Sequence, residues 1–287
     1  MVTAQVKKII KAALEEDIGA KDITTSLSLP SSIKGEGVIV AKEKGLLCGI
    51  KVAEEVFKTL SKEIVFRPLK KDGDHLDKNE KVAGVKGNIG TILTAERVAL
   101  NFLSRLSGIS TATAKFVNRV KPANTKILDT RKTTPTLRAL EKYAVGVGGG
   151  RNHRLNLEKG IIVKDNHLRA GNFLADGELN EVKFQKLIKH LRSESSLKIE
   201  IEVENLTEFK SVVKYKPDIV MLDNFSLNTL RKAVALRNKY FPKVLIEASG
   251  GINLANIKAI ADCGVDFISV GSITHSAQIV DFSLEIL

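Results

Sequence analysis

Read by the spacing of its apolar residues, the chain changes character twice. Val6, Ile9, Ile10, Ala13 and Leu14 form the stripe of an amphipathic helix. From Gly35 to about Leu93, short β-type runs at 37–41, 64–66 and 81–85 are separated by Gly, Asp and Lys turns, and a helical stretch from Val52 to Leu60 interrupts them. This pattern predicts a small mixed domain on a mostly antiparallel sheet. A long helical segment follows from Thr94, with Val98, Phe102, Leu103 and Leu106 on one face, and is expected to stop before Gly108.

Beyond Pro122 the period changes. Runs rich in Ile, Val and Leu recur at 126–128, 160–163, 199–203, 218–222, 244–247 and 267–270, and helical spacing appears between most of them, at 137–143, 182–191, 227–240 and 254–261. Pro135 suits a first helical turn, Pro242 a helix exit and Gly264 a helix C-cap. Alternation of this kind predicts right-handed βαβ units and a parallel sheet, closed or nearly closed into a barrel; an open doubly wound sheet is the alternative.

Nearly every apolar run of this second part ends in a polar or glycine cluster. The first is followed by Asp129-Thr130-Arg131-Lys132-Thr133-Thr134-Pro135 and the next by Lys164-Asp165-Asn166-His167. Later runs lead into Glu204-Asn205, Asp223-Asn224, Ser249-Gly250-Gly251 and Gly271-Ser272. In a parallel barrel all strand C-termini open on one face, where catalytic residues sit, so these clusters should converge. Arg131, Lys132, His153, Arg154 and Lys164 would then crowd one mouth, a repulsive arrangement that an anion relieves; singly, each also reads as a surface ion-pair partner.

Glu200, Glu202 and Glu204 alternate with Ile201 and Val203, which puts three carboxylates on one strand face. Facing a barrel interior they need a lysine, an arginine or a metal; the competing reading is an edge strand with one wet side. Gly146-Val147-Gly148-Gly149-Gly150 leads into the basic turn Arg151-Asn152-His153-Arg154, but matches neither a dinucleotide fingerprint nor a P-loop. Its glycines are expected to let backbone approach a ligand or to take positive φ. Ser249-Gly250-Gly251, with Asn253 capping the helix after it, and Gly271-Ser272, with His275 just beyond, suit phosphate-binding turns; plain left-handed turns compete.

Composition narrows the function class. The 287 residues include 45 Lys and Arg against 33 Asp and Glu, a net charge of +12 that fits either a nucleic-acid surface or a pocket for polyanions. Aromatics are only 5% and the cations gather at run ends instead of alternating with stacking residues, so nucleic acid is not an expected partner. The apolar runs are far shorter than the roughly 20 residues of a membrane span, and the first residues lack a secretory pattern, so a cytoplasmic protein without membrane partners is expected. Cys48 and Cys263 are too few and too far apart for a disulfide framework or a zinc site.

The segments Thr130-Arg131-Lys132-Thr133-Thr134-Pro135, Gly149-Gly150-Arg151-Asn152-His153-Arg154, Lys164-Asp165-Asn166-His167, Glu202-Val203-Glu204, Leu222-Asp223-Asn224 and Glu247-Ala248-Ser249-Gly250-Gly251-Ile252 resemble, in order, the signature of quinolinate phosphoribosyltransferases. Glu96-Arg97-Val98-Ala99-Leu100-Asn101 and Val270-Gly271-Ser272-Ile273-Thr274-His275 extend the resemblance over essentially the whole chain. It implies a type II phosphoribosyltransferase of the α/β class: an N-terminal α/β sandwich over 1–110, to which 276–287 return, and an incomplete α/β barrel of fewer than eight parallel strands over 111–275. It further implies a homodimer or higher homo-oligomer with shared active sites. By the same resemblance, Arg97 (from the other chain), Arg131, Lys132, His153, Arg154 and Lys164 surround the carboxylates of quinolinate. Glu204 and Asp223 take the ribose or Mg²⁺ side of phosphoribosyl pyrophosphate, and Ser249, Gly250, Gly251, Gly271, Ser272 and His275 the phosphate side; Lys132, Lys164, Glu204 and Asp223 are the implied catalytic set. No organic cofactor is required. A related phosphoribosyltransferase acting on nicotinate or another anionic heterocycle is the rival reading.

Overall fold

The computed structural model describes residues 2–175 and 178–287. The chain divides into two compact units: residues 1–114, 132–150 and 273–287 form one, and residues 115–131 and 151–272 the other. The segment 132–150, which the sequence reading placed with the barrel, clusters with the first unit.

The first unit is organised on a four-stranded antiparallel sheet in the order Phe282–Ile286, Lys34–Ala41, Lys81–Asn88, Val65–Pro68. The last residues of the chain thus pair with the first strand, Gly37 opposite Ile286 and Ala41 opposite Phe282. Helix Ala4–Ile18 buries Val6, Ile10 and Leu14, as their spacing requires, and lies against helix Ile50–Leu60, whose Val52, Ala53, Val56 and Phe57 are buried. That second helix has no cap of its own; Asp72 Oδ1 accepts from the Gly49 and Ile50 N–H groups, both at 3.0 Å.

Helix Ile89–Arg119 does not stop before Gly108 but runs through it. A Cβ at Gly108 would lie 2.0 Å from the Gln278 carbonyl oxygen, so glycine is there because backbone passes against the helix. Pro135 likewise stands outside its helix, in a turn closed by the Leu137 N–H to Thr134 C=O bond (3.1 Å). Thr136 at φ 67 breaks the helical path, and helix Arg138–Val147 begins after it.

The second unit carries a six-stranded parallel sheet in the order Lys126–Leu128, Phe267–Ser269, Leu245–Ser249, Ile219–Asp223, Ile199–Val203, Ile161–Val163. It is an incomplete barrel, each strand within two residues of the expected run. The two outermost strands are linked by the segment that follows the glycines. Arg151 bridges to Leu128 through its N–H to Ile127 C=O (2.8 Å) and its C=O to Asp129 N–H (3.1 Å), and Arg154 Nη1 donates to Gly160 O (2.8 Å), just before the start of strand Ile161–Val163. Helices Glu181–Glu194 and Leu227–Tyr240 match their expected positions. The predicted helix at 254–261 is helical only over Ile257–Ala261, and Gly264 (φ 86) follows its C-cap Asp262 by two residues.

Helix Leu206–Val213 was not anticipated, yet its start is written in the sequence. Asn205 Oδ1 accepts from the Thr207 and Glu208 N–H groups, and Glu208 reaches back, its Oε1 accepting from Asn205 Nδ2 (2.8 Å) and its Oε2 from the Glu204 N–H four residues before it (2.9 Å). A short antiparallel pairing of Leu174–Ala175 with Glu178–Leu179 was also unforeseen.

Candidate active site

Strand Ile199–Val203 is paired on both sides and buried at all five positions, which removes the reading of it as a wet edge. Its glutamates therefore need partners, and each has one. Glu200 Oε2 faces His153 Nε2 at 3.2 Å, Glu202 Oε2 takes Lys164 Nζ at 2.6 Å, and Glu204, exposed past the strand end, takes Arg169 Nη2 at 2.9 Å. Arg169 was not foreseen from sequence; it lies on the short helix Asp165–Ala170 that follows the Lys164 strand.

Register places the strand-end residues beside one another. Asp223 is paired with Ser249 across the two neighbouring strands, and the step Val203 to Leu222 puts Glu204 level with Asp223. Asn224 takes φ 56 and donates its N–H to Ser249 C=O (2.9 Å), while its side-chain Nδ2 donates to Asp223 Oδ2 (2.7 Å). Gly250 sits against this turn at φ 90, where a Cβ would fall 2.2 Å from Asn224 Oδ1. Gly251 also has positive φ, 59°. Asn253 does not cap the helix as expected: its Oδ1 accepts from Ala255 and Asn256 N–H and closes the turn before helix Ile257–Ala261, whose N-cap Asn256 makes no side-chain cap bond.

The cations separate by unit. In the second, Arg131 is exposed and Arg154 half-buried. Burial, and next the positive charge of Arg131, push the Arg154 guanidinium below its usual range, with Glu200 opposing. Arg154 Nε is buried and lacks a hydrogen-bond partner. Sequence reading grouped His153 with these cations. Its ring instead turns toward Glu200 and Glu247, while Arg154 N–H donates to its Nδ1 (2.7 Å) and its own N–H donates to Asp129 Oδ1 (2.8 Å).

Asp129 and Glu247, both fully buried, were not singled out from sequence. An acidic residue inside the run Val244 to Ala248 was the available signal for Glu247. Ser269 Oγ donates to Glu247 Oε1, and the group is pushed up to about 8 by burial and by Glu200.

On the first unit, Lys132 and Arg97 are exposed. The loop at 132–137 and the segment at 273–277 are tied together: Thr274 Oγ1 donates to Lys132 O (2.8 Å), and Arg105 donates to Glu141 Oε1 (2.8 and 3.1 Å) and to Thr274 O. Glu141, fully buried, also accepts from the Thr134 N–H and hydroxyl. His275 is exposed, with Nδ1 2.6 Å from Ser276 Oγ.

The glycines before Arg151 turn out to serve packing. A Cβ at Gly148 would sit 2.5 Å from Ser110 O and one at Gly150 2.8 Å from Thr113 Cγ2, so they let the end of helix Arg138–Val147 lie against helix Ile89–Arg119; only Gly149 has positive φ, 84°.

Comparison with known proteins places this arrangement. Residues 22–107 match the N-terminal domain of quinolinate phosphoribosyl transferases and residues 109–285 the C-terminal domain. The chain belongs to the quinolinate phosphoribosyl transferase family. It is 40% identical over 276 residues, 96% of this chain and 90% of the relative, to a probable nicotinate-nucleotide pyrophosphorylase [carboxylating] of Synechocystis. Among solved structures it resembles NadC from Streptococcus pyogenes (TM-score 0.90, 38% identity, 100% of this chain and 99% of that one). It also resembles the nicotinate-nucleotide pyrophosphorylase from Francisella tularensis (TM-score 0.88, 39% identity, 99% and 96%). Membership agrees with an antiparallel sheet in one unit and an incomplete barrel in the other. No helix among the described residues is long and apolar enough to cross a membrane.

Proposed function

We propose that this chain transfers the phosphoribosyl group of phosphoribosyl pyrophosphate to the ring nitrogen of quinolinate, releasing pyrophosphate and CO₂ and leaving nicotinate mononucleotide. The observation that carries this reading is Arg154: a half-buried guanidinium with an orphaned Nε, pushed below its usual range by burial first and by the charge of Arg131 next. A guanidinium with an unused N–H suits an anion, and its fork fits a carboxylate. A net charge of +12 favours the approach of polyanionic substrates.

The chemistry follows from the residues. The C1′–O bond to pyrophosphate breaks as the pyridine nitrogen bonds to C1′. Positive charge grows on the ribose, where Glu204 and Asp223 are level with each other at adjacent strand ends. The new pyridinium then accepts the electron pair released when the neighbouring carboxylate leaves as CO₂, and a proton takes its place on the ring. Arg131, Arg154 and Lys164 hold the carboxylates, and Ser249, Gly250, Gly251, Gly271 and Ser272 the phosphate side. Two carboxylates at neighbouring strand ends are a hard-oxygen set suited to Mg²⁺; Glu204 and Asp223 would hold it with the pyrophosphate, where it would neutralise leaving-group charge. The roles of Lys132, Arg97 and His275, on the first unit, rest on their motifs. The working form is a cytoplasmic homodimer or larger homo-oligomer to whose sites the partner supplies Arg97.

The test is direct. Purified protein with Mg²⁺ and phosphoribosyl pyrophosphate should consume quinolinate and release one CO₂ per nicotinate mononucleotide. Turnover of nicotinate in place of quinolinate would overturn the assignment.

A further inference from the structure

Glu141, on the first turn of helix Arg138–Val147, is a fully buried carboxylate that takes no part in the chemistry above. Its Oε1 accepts from Arg105 Nε (3.1 Å), Arg105 Nη2 (2.8 Å) and the Thr134 hydroxyl (2.8 Å), and its Oε2 from the Thr134 N–H (3.2 Å). Arg105 spends the rest of its fork on backbone oxygens, Nη2 donating to Thr274 O and Nη1 to Ala277 O (3.4 Å). Thr274, also fully buried, donates its hydroxyl to Lys132 O (2.8 Å). These contacts close a ring that runs from Arg105 through Glu141 to Thr134, along the chain to Lys132, and across Thr274 back to Arg105.

One side of the ring is anchored. Val280 N–H donates to Ser104 O (3.1 Å) and the Gln278 carbonyl passes against Gly108, so the segment after Thr274 lies along helix Ile89–Arg119. The other side is a loop: residues 132–137 belong to no helix or strand, Thr136 takes φ 67, and Lys132 opens the loop with an exposed side chain. A buried ion pair stabilises a fold little more than apolar side chains of the same volume, because both charges leave water. The forked guanidinium and the two-oxygen carboxylate do, however, fix direction as well as distance.

We infer that Arg105 and Glu141 are positioning residues: with Thr274 they clamp the loop at 132–137 to the long helix and fix the backbone from which Lys132 reaches the substrates. The inference rests on the reading of Lys132 as a residue that acts on substrate. Lysine carries its charge on a flexible four-carbon stem, so its ammonium is aimed only as well as the backbone beneath it is held. An error on the order of 1 Å in such a contact costs as much as about a hundredfold in rate.

The test reads kcat/KM for quinolinate at saturating phosphoribosyl pyrophosphate. Thr274→Val keeps the shape of the side chain and removes the hydroxyl; it should lower kcat/KM by about tenfold, whereas Thr274→Ser should stay within about twofold of the parent. Arg105→Lys keeps the charge but cannot span Glu141 and two carbonyls, and Glu141→Gln removes the ion pair; each should lose at least as much. If these two fail to fold, the Thr274 pair carries the comparison. The deciding measurement is made in a Lys132→Ala background. With the lysine gone, Thr274→Val should cost less than about twofold more, while general damage to the fold would multiply the two losses. If Lys132→Ala alone leaves kcat/KM unchanged, the reading of Lys132 falls first. If Lys132→Ala is impaired but Thr274→Val and Arg105→Lys are not, the positioning role is wrong. Losses that multiply, or a Thr274→Ser protein as poor as Thr274→Val, would also overturn it.

Discussion

Arg131 is exposed and its charge reaches Arg154, so on the proposed reading truncating it removes a contact to substrate without opening a hole in the fold. Arg131→Ala should cost about 1.5 to 3 kcal/mol of quinolinate binding, the range for hydrogen bonds to charged groups, read as a rise in KM with melting temperature little changed. Glu247 gives a pH signature. Its carboxyl is raised from 4.5 to about 8 by burial first and by Glu200 next, so the folded protein binds a proton there that the unfolded chain releases above 4.5. Stability should therefore fall as pH rises from about 4.5 to about 8, and Glu247→Gln should flatten that part of the profile in denaturant titrations at a series of pH values. An unchanged slope in the variant would mean that Glu247 is ionised across the range. The cations and strand-end acids were legible from sequence because each ends an apolar run. The direction of the His153 ring was not, since it depends on carboxylates 47 and 94 positions further on, Glu200 and Glu247.

Helix Ile89–Arg119 shows how an element is decided by what touches it. Alanine favours a helix over glycine by up to about 1 kcal/mol, yet Gly108→Ala would drive a methyl group into the Gln278 carbonyl, 2.0 Å away. The substitution should destabilise the protein by about 1 to 3 kcal/mol, the usual cost of overpacking, and a thermal or urea melt checks the sign. Reading glycine as a break put a helix end before Gly108, and Gly146 to Gly150 were expected to approach a ligand or take positive φ, as only Gly149 among them does, because a glycine signals a break and a close approach with the same letter. Where a residue's local chemistry matched its surroundings, as in the helices Glu181–Glu194 and Leu227–Tyr240 with their Asn180 and Ser226 caps, the reading and the structure coincide.

At the scale of the molecule, the proposed sharing of sites between chains has a consequence that no single-chain property imitates. An Arg97→Ala protein and an Arg131→Ala protein, each impaired alone, should regain activity when subunits are mixed and exchanged, since some mixed sites receive both intact residues. Absence of any regain after verified exchange would place Arg97 in the same chain as the rest of its site or outside it.

The order of apolar runs and polar ends determined, by itself, that a parallel sheet would gather Arg131, Lys164, Glu204, Asp223 and Ser249 at its strand ends, because strand direction fixes which end of every run faces the same side. It also determined the family. Only the tertiary structure decided which charge each glutamate meets, that Glu247 is enclosed, that the last strand pairs with the first, and that the glycines before Arg151 serve helix packing. Those outcomes depend on distances between positions far apart in sequence, which the periodicity of any one segment does not encode.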